Sequence, residues 1–203
     1  MPFDERRAAA ERLKTEGMSL VKSKNFNGAE IAFKESIRRW AGSAETYFEL
    51  GKLLAQADKF SEAAKALGKA VGLEPDNAEM KEALGQVYIS SGNWDAAKYI
   101  FTELVAKNPG KFKNQFNLGL AYKFFGQTEP AVKAFNKAAE INPKDAECRY
   151  QLGETLLWDG QVPEAEREVS ILSPLSPKLA KKLKDEIDAA KSNRGLVTTS
   201  AKQ

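Results

Sequence analysis

Small and apolar residues recur along this chain at a fixed interval of 34 positions. The most regular column is glycine, with members Gly17, Gly51, Gly85, Gly119 and Gly153. A small-residue column lies twelve positions later and comprises Ala29, Ala63, Ala97, Ala131 and Ala165. A column of larger apolar residues follows one helical turn further on and comprises Phe33, Leu67, Phe101, Phe135 and Val169. A period that holds across five positions is the signature of a protein built from tandem repeats.

The apolar spacing of three and four residues within each period predicts two helices joined by a short turn. The predicted helices are 8–24 followed by one ending near 40, then 44–57 and 60–73, 78–91 and 95–107, 112–125 and 129–141, and 146–158 and 163–172. Breaks at Ser173-Pro174 and Ser176-Pro177 precede a predicted amphipathic helix, 178–191, whose apolar stripe is Leu179, Leu183 and Ile187. Residues 193–203 have little to pack against and are expected to be a disordered tail.

The order of these columns resembles the tetratricopeptide repeat. A leucine precedes four of the glycines, an apolar or aromatic residue follows three positions on, and a proline closes most units, as at Pro75, Pro109 and Pro143. The resemblance covers roughly residues 10–179, with repeats at about 10–43, 44–77, 78–111, 112–145 and 146–179. It implies an all-α, right-handed α-solenoid of five helix pairs over residues 1–192, closed by helix 178–191 as a C-terminal cap. Glu16 and Ala41 depart from the pattern in the first repeat, as is expected where a terminal repeat has one neighbour.

Composition removes several classes of function. The 203 residues carry a formal charge of +3, and basic and acidic residues alternate instead of forming a basic stripe, so no nucleic acid partner is expected. The absence of histidine excludes imidazole catalysis and the common zinc sites. We therefore expect no enzymatic activity, no cofactor and no metal.

The chain also carries few signals for a location outside the cytoplasm. It lacks a long apolar run, and its charged start lacks the apolar core of a secretory signal, which predicts a cytoplasmic protein without membrane insertion unless a leader has been removed. The single cysteine, Cys148, cannot form an internal disulfide and is expected to be a buried small residue.

In the resembled family, the first helix of each pair lines a concave groove that binds a partner protein. Carried onto this chain, the resemblance implies a groove formed by Phe48, Lys52, Lys113, Phe116, Asn117, Lys123, Phe124, Tyr150 and Trp158. Four of these are large aromatics on the last two repeats, and large aromatics commonly anchor interfaces. The hypothesis is that they take apolar side chains of a partner peptide or helix; the alternative is that some pack against neighbouring repeats or under the C-terminal helix.

Some family members bind a carboxylate with lysine, asparagine and arginine in their first three repeats. Lys14 stands at the first lysine position, but Met18 and Glu49 stand at the asparagine positions, and Glu79 and Ala83 at later basic positions. Two of these replacements would repel a carboxylate, so this mode is disfavoured.

The sequence therefore predicts a non-catalytic protein-interaction scaffold or adaptor. The alternative is a structural protein that forms homo-oligomers through its first repeat or the region of Gly68 and Gly72. Those two glycines either soften their helix or allow a close helix crossing. An enzyme that uses carboxylates such as Glu79 and Glu82 is disfavoured by the missing histidines and phosphate loops.

Overall fold

The computed structural model describes the backbone of residues 3–200 and the side chains of residues 3–192. Within these residues the chain forms eleven helices and no strand, which confirms the predicted all-α class. The helices are α1 Phe3–Lys22, α2 Phe26–Arg39, α3 Ala44–Gln56, α4 Phe60–Leu73, α5 Ala78–Ser90, α6 Trp94–Lys107, α7 Phe112–Phe124, α8 Thr128–Ile141, α9 Ala146–Trp158, α10 Val162–Leu175 and α11 Pro177–Ser200.

The chain divides into two compact units, residues 1–100 and residues 101–203, and the boundary falls inside α6. In the first unit, α1 packs on α2, α2 on α3, α3 on α4 and α4 on α5. In the second unit, α7 packs on α8, α8 on α9 and α9 on α10, while α11 contacts both α9 and α10. Each unit is thus a series of helix hairpins in which consecutive helices pack together.

The columns of the repeat form the core. All five members of the alanine column are fully buried, and so are Phe33, Leu67, Phe101 and Phe135. The glycines lie where two helices of a pair approach most closely. A Cβ built on Gly51 would lie 2.5 Å from Leu67 Cγ, and one on Gly119 would lie 2.6 Å from the Phe135 ring. These positions are therefore structural, as the pattern predicts.

The fifth repeat departs from this arrangement. Val169 occupies the large-residue column but is only half-buried. The residue packed against Gly153 is instead Leu183 of α11, which is fully buried. Ile187 is buried as well, and Leu179 is half-buried, so the predicted apolar stripe of α11 completes the core of the last repeat.

One of the two breaks predicted before the C-terminal helix is absent. The expected break at Ser173-Pro174 is wrong: α10 runs through Pro174 to Leu175, so this proline affects only the last turn of the helix. The chain leaves the helix at Ser176, which is extended with φ −153° and ψ 92°, as is favoured for a residue before a proline. Helix α11 continues past its predicted end at residue 191 to Ser200. The disorder predicted for residues 193–203 stays a prediction, because the side chains after residue 192 and the whole of residues 201–203 are not described.

A left-handed residue recurs in the turn between the two helices of each pair. The residues with positive φ are Lys24, Asp58, Gly92, Gly126 and Gly160, which again lie 34 positions apart. Glycine adopts this conformation without steric cost and aspartate is also found in it, so Lys24 is the residue of this column that carries local strain.

The glycines of α4 are not required by packing. A Cβ on Gly68 or Gly72 would meet no atom within 4 Å. In the part of the chain that the structure describes, neither glycine permits a close helix crossing. Each therefore costs its helix about 1 kcal/mol relative to alanine.

Candidate functional site

Two of the predicted groove residues, Phe48 and Lys52, lie on α3 in the first unit. Phe48 is 7% exposed, and Lys52 Nζ lies 4.6 Å from the centroid of its ring. Lys52 also forms an ion pair with Glu49 at 2.7 Å. Both residues line a cleft of about 370 Å³ together with Glu45, Glu49, Glu74, Asn77, Glu79 and Met80.

The charges of this cleft are largely satisfied within the chain. Glu45 accepts a hydrogen bond of 2.5 Å from Lys14, which also pairs with Glu11 at 2.8 Å. Burial lowers the pKa of Lys14, but the hydrogen bonds to the two carboxylates outweigh it and raise that pKa above the ordinary value. Glu49 and Glu79, which replace the family's carboxylate-binding residues, both line the cleft. The cleft consequently presents negatively charged side chains at positions where binding of a carboxylate group would require positively charged ones.

In the second unit, α7 carries Lys113, Phe116 and Asn117. Lys113 is exposed, whereas Asn117 is 9% exposed. The ring of Phe116 is half-buried, with its centroid 5.9 Å from that of Phe112 and 5.8 Å from that of Phe135. Phe116 therefore belongs largely to the core, which agrees with the alternative that some of the predicted groove aromatics pack within the repeats.

Tyr150 of α9 is closed off by the C-terminal helix. It is 3% exposed, its hydroxyl donates to Glu186 Oε1 at 2.8 Å, and Lys182 Nζ lies 4.6 Å from its ring centroid. Burial, followed by the hydrogen bond to Glu186, raises the pKa of the Tyr150 hydroxyl. The expectation that Tyr150 lines an open groove is corrected here, because α11 lies over this part of α9.

Phe124 and Trp158 remain open to solvent. Phe124 is 48% exposed and Trp158 is 53% exposed. They end α7 and α9, they lie 34 positions apart, and both approach the ammonium group of Lys123. Lys123 Nζ lies 4.6 Å from the Trp158 centroid and 5.5 Å from the Phe124 centroid. The two rings are therefore neighbours on one face of the second unit.

Lys123 is buried beneath these rings, with a side chain that is 1% exposed. Its ammonium donates to Gln151 Oε1 at 2.6 Å and forms an ion pair with Glu154. A buried ammonium is tolerated only where hydrogen bonds and an opposite charge replace its water. We call Lys123, Phe124, Gln151, Glu154 and Trp158 the Lys123 cluster. It connects α7 to α9 and fixes the surroundings of both aromatic rings.

Polar groups beside the cluster are also satisfied. Asp159 follows Trp158, and its two oxygens accept hydrogen bonds from Thr128 Oγ1 at 2.5 Å and Gln161 Nε2 at 2.6 Å. The Thr128 and Gln161 hydrogen bonds lower the pKa of Asp159. Phe125 is 45% exposed at the same end of α7 and was not predicted as a site residue. Two consecutive phenylalanines, Phe124 and Phe125, follow Lys123, and this pair is the sequence signal that would have identified Phe125.

Cys148 is fully buried, and its Sγ donates to the carbonyl oxygen of Phe135 at 3.6 Å. Burial raises the pKa of the thiol to about 12, with the carboxylate of Asp145 adding to the effect. The prediction of a buried structural cysteine is confirmed. Among the described residues, no group of histidine, cysteine, aspartate and glutamate side chains could hold a metal ion, and no helix could cross a membrane.

Comparison with known proteins decides the family. A sequence model described as the tetratricopeptide repeat matches residues 54–118 and 125–187, which together make up more than half of the chain. The chain belongs to the tetratricopeptide repeat family. A comparison of this tetratricopeptide repeat protein with curated proteins found no significant match.

Solved structures with the same fold include two of MamA. MamA 41-end from Desulfovibrio magneticus RS-1 has a TM-score of 0.78 and 20% identity, over 83% of this chain and 96% of that one. A second MamA structure has a TM-score of 0.78 and 24% identity, over 85% of this chain and 94% of that one. YrrB, described as a TPR protein with an unusual peptide-binding site, has a TM-score of 0.78 and 18% identity, over 85% of this chain and 90% of that one. These similarities establish the fold, and the predicted α-solenoid class of this tetratricopeptide repeat protein is confirmed.

Proposed function

We propose that this protein is a non-catalytic interaction scaffold that holds a peptide or helix of a partner protein against the face formed by α7 and α9. The single observation that carries the proposal is the exposure of two neighbouring large aromatics, Phe124 and Trp158, which lie above the buried and internally paired Lys123. Exposed aromatics on a rigid support are typical anchors of interfaces, because they bury a large area at little cost in conformational entropy.

Family membership supports the same role. Tetratricopeptide repeats bind protein partners, and the structurally similar YrrB is described as having a peptide-binding site. A cytoplasmic location is part of this proposal, since the one cysteine is a buried free thiol, which agrees with a reducing compartment. Lys113 is proposed to border the bound segment, whereas Asn117 is buried and is not proposed as a contact. The α3 cleft with Phe48 and Lys52 is proposed as a second contact region.

The test is affinity capture from the native cell with the full chain as bait, followed by mass spectrometry. The double variant Phe124→Ala with Trp158→Ala removes the two exposed anchors and uncovers Lys123, so circular dichroism must first show that it remains folded. The matched control is Phe26→Ala with Ile31→Ala, since both of these residues are exposed apolar side chains of α2. We expect the first pair to lose partners that the control pair retains.

Two outcomes would reject the proposal. In one, both double variants capture the same proteins as the wild type. In the other, light scattering at increasing protein concentration gives a rising mass, and the Phe124 and Trp158 variant abolishes it. The second result would favour the alternative of a self-assembling structural protein.

A further inference from the structure

The cleft beside α3 in the first unit carries an excess of negative charge. Its lining contains one ammonium group and four carboxylates, which belong to Lys52 and to Glu45, Glu49, Glu74 and Glu79. Lys14 and Glu11, which pair with each other beside the cleft, add no net charge. The excess of three negative charges is local, because the chain as a whole carries a formal charge of +3.

These carboxylates differ in how their charge is compensated. On α3, Glu45 and Glu49 pair with lysines of the chain itself, at 2.5 Å and 2.7 Å. On the side of α5, Glu74 accepts a hydrogen bond of 2.9 Å from the side-chain amide of Asn77. Among the residues whose side chains the structure describes, neither Glu74 nor Glu79 forms an ion pair. The uncompensated charge therefore lies on the α5 side of the cleft.

Helix stability explains only part of this acidic set. Glu45 and Glu79 lie in the first turns of α3 and α5, where the helix dipole stabilises a carboxylate. Glu74 is instead the C-cap residue of α4, where the same dipole disfavours a negative charge. A carboxylate that is placed against the dipole and lacks an ion-pair partner is one that a cationic guest would stabilise.

The floor of the cleft is apolar and already holds an ammonium group. Phe48 is 7% exposed and Met80 is 5% exposed. Lys52 Nζ lies 4.6 Å from the centroid of the Phe48 ring while it pairs with Glu49, so a cation is held between an aromatic face and a carboxylate. The side chain of Lys52 is 43% exposed, so it can give up this position to a guest without disturbing the core.

We propose that this cleft binds a basic segment of the partner protein, with an arginine side chain of that segment lying over the apolar floor and pairing with Glu74 and Glu79. Arginine suits the cleft because its planar guanidinium group stacks on an aromatic surface while it donates hydrogen bonds to carboxylates. The inference rests on the proposed function, because it names the chemistry of the segment that the scaffold holds at its second contact region.

The experiment measures, by fluorescence anisotropy with the full chain, the binding of a fluorescein-labelled peptide that alternates alanine and arginine. Two matched peptides carry glutamine or glutamate in place of arginine. We expect only the arginine peptide to bind. Its Kd should rise when the salt concentration is raised from about 50 mM to about 300 mM, because salt screens exposed charge pairs.

Two double variants locate the binding of the arginine peptide. Glu74→Gln with Glu79→Gln should raise its Kd by about twofold to twenty-fivefold, since each exposed ion pair contributes about 1.5-fold to fivefold in affinity. The matched control is Glu16→Gln with Glu62→Gln, which removes two exposed carboxylates outside the cleft and should leave Kd nearly unchanged. Circular dichroism establishes that each variant is folded.

A further variant tests the cleft by a gain of binding. Lys52→Met removes the cation that competes for Phe48 and Glu49, so we expect the arginine peptide to bind at least about twofold more tightly. Lys65→Met is the matched control, because Lys65 is an exposed lysine of α4 outside the cleft. A purely structural role of Lys52 would not produce tighter binding.

The outcomes separate this inference from the proposed function. If the arginine peptide does not bind, if the glutamate peptide binds as well, or if Kd does not depend on Glu74 and Glu79, this inference is wrong. Loss of captured partners in the Phe124 and Trp158 variant would still support the scaffold. If the arginine peptide binds through the cleft but no captured protein depends on Phe124 or Trp158, the cleft stands and the α7 and α9 face is rejected.

The same peptide distinguishes a basic segment from a metal ion as the occupant of the cleft. Calcium chloride and sodium chloride of equal ionic strength should weaken binding of the arginine peptide to the same extent, because both act only by screening. Release of the peptide by calcium chloride alone would assign the cleft to a divalent cation and would overturn the proposal.

Discussion

Gly51 and Gly68 lie in the two helices of one pair, yet replacing each with alanine should change stability in opposite directions. Gly51 of α3 is packed against Leu67 of α4, whereas Gly68 of α4 has open space at its Cβ position. Both substitutions remove the conformational freedom of a helical glycine and gain about 1 kcal/mol from helix propensity. Only packing distinguishes them.

The magnitude at Gly51 follows from the distances. A Cβ there would lie 2.5 Å from Leu67 Cγ and 3.2 Å from the backbone nitrogen of Leu67. Carbon atoms prefer about 3.5 to 4.0 Å, so the fully buried Leu67 must move by about 1 Å. Overpacking of this kind costs about 1 to 3 kcal/mol, which exceeds the helix gain and leaves a net loss of up to about 2 kcal/mol. Gly68→Ala should instead stabilise the protein by about 0.5 to 1 kcal/mol.

Urea unfolding followed by far-UV circular dichroism measures both changes in the same unit of the protein. The combination Gly51→Ala with Leu67→Ala provides a further check, because Leu67→Ala removes the atoms that the new methyl group meets. The two changes should cost less together than the sum of their separate effects, by about 0.5 to 3 kcal/mol. If Gly51→Ala stabilised the protein as much as Gly68→Ala, or if the two effects were additive, the close approach of α3 and α4 would be refuted.

Three further predictions concern other parts of the chain. Lys24→Gly should stabilise the protein by about 1 kcal/mol by relieving the residue at φ 62°, while Gly126→Ala, at φ 82°, should destabilise it by a similar amount in urea unfolding. Burial raises the pKa of Glu168, which pairs with Arg149, above the ordinary 4.5, so the stability contributed by its protonated carboxyl group is lost as pH rises through that pKa. The free energy of unfolding of Glu168→Gln relative to that of the wild type should therefore rise from pH 4.5 to neutral in urea unfolding, and a constant difference would contradict this. The Cys148 thiol should react with a thiol reagent only after urea unfolding, and rapid reaction of the native protein would contradict its burial.

Most of the helical architecture could be predicted from the sequence because core residues repeat at a fixed interval. Glycine, alanine and large apolar columns each occupy one location in every helix pair, so five copies of the same signal reinforce one another. The turn column was missed because its first members, Lys24 and Asp58, are not the glycines that usually mark a left-handed residue. The positive φ angle identifies all five members of that column, whereas residue type identifies only the last three, which are glycines.

The candidate site was less predictable, since it depends on which aromatic side chains are covered. Repeat position alone predicts the same groove-facing location for four aromatic residues, Phe116, Phe124, Tyr150 and Trp158. The structure separates them because α11 lies over Tyr150 and because Phe135 packs on Phe116. The internal pairing of Lys123 with Glu154 spans 31 residues, and sequence spacing does not indicate an ion pair over that distance.

The dependence of the fifth helix pair on Leu183 has a practical consequence for dissecting this protein. A protein truncated after α10 would lack Leu183, and the space beside Gly153 that this side chain occupies would be empty. Val169 does not fill that space, since it is only half-buried even in the whole chain. Such a fragment should be prone to aggregation, because α9 would expose residues that α11 now covers. Any shortened version intended for crystallisation or screening should therefore end beyond Ile187. A sixth repeat added in place of α11 would have to provide a side chain that packs against Gly153 as Leu183 does.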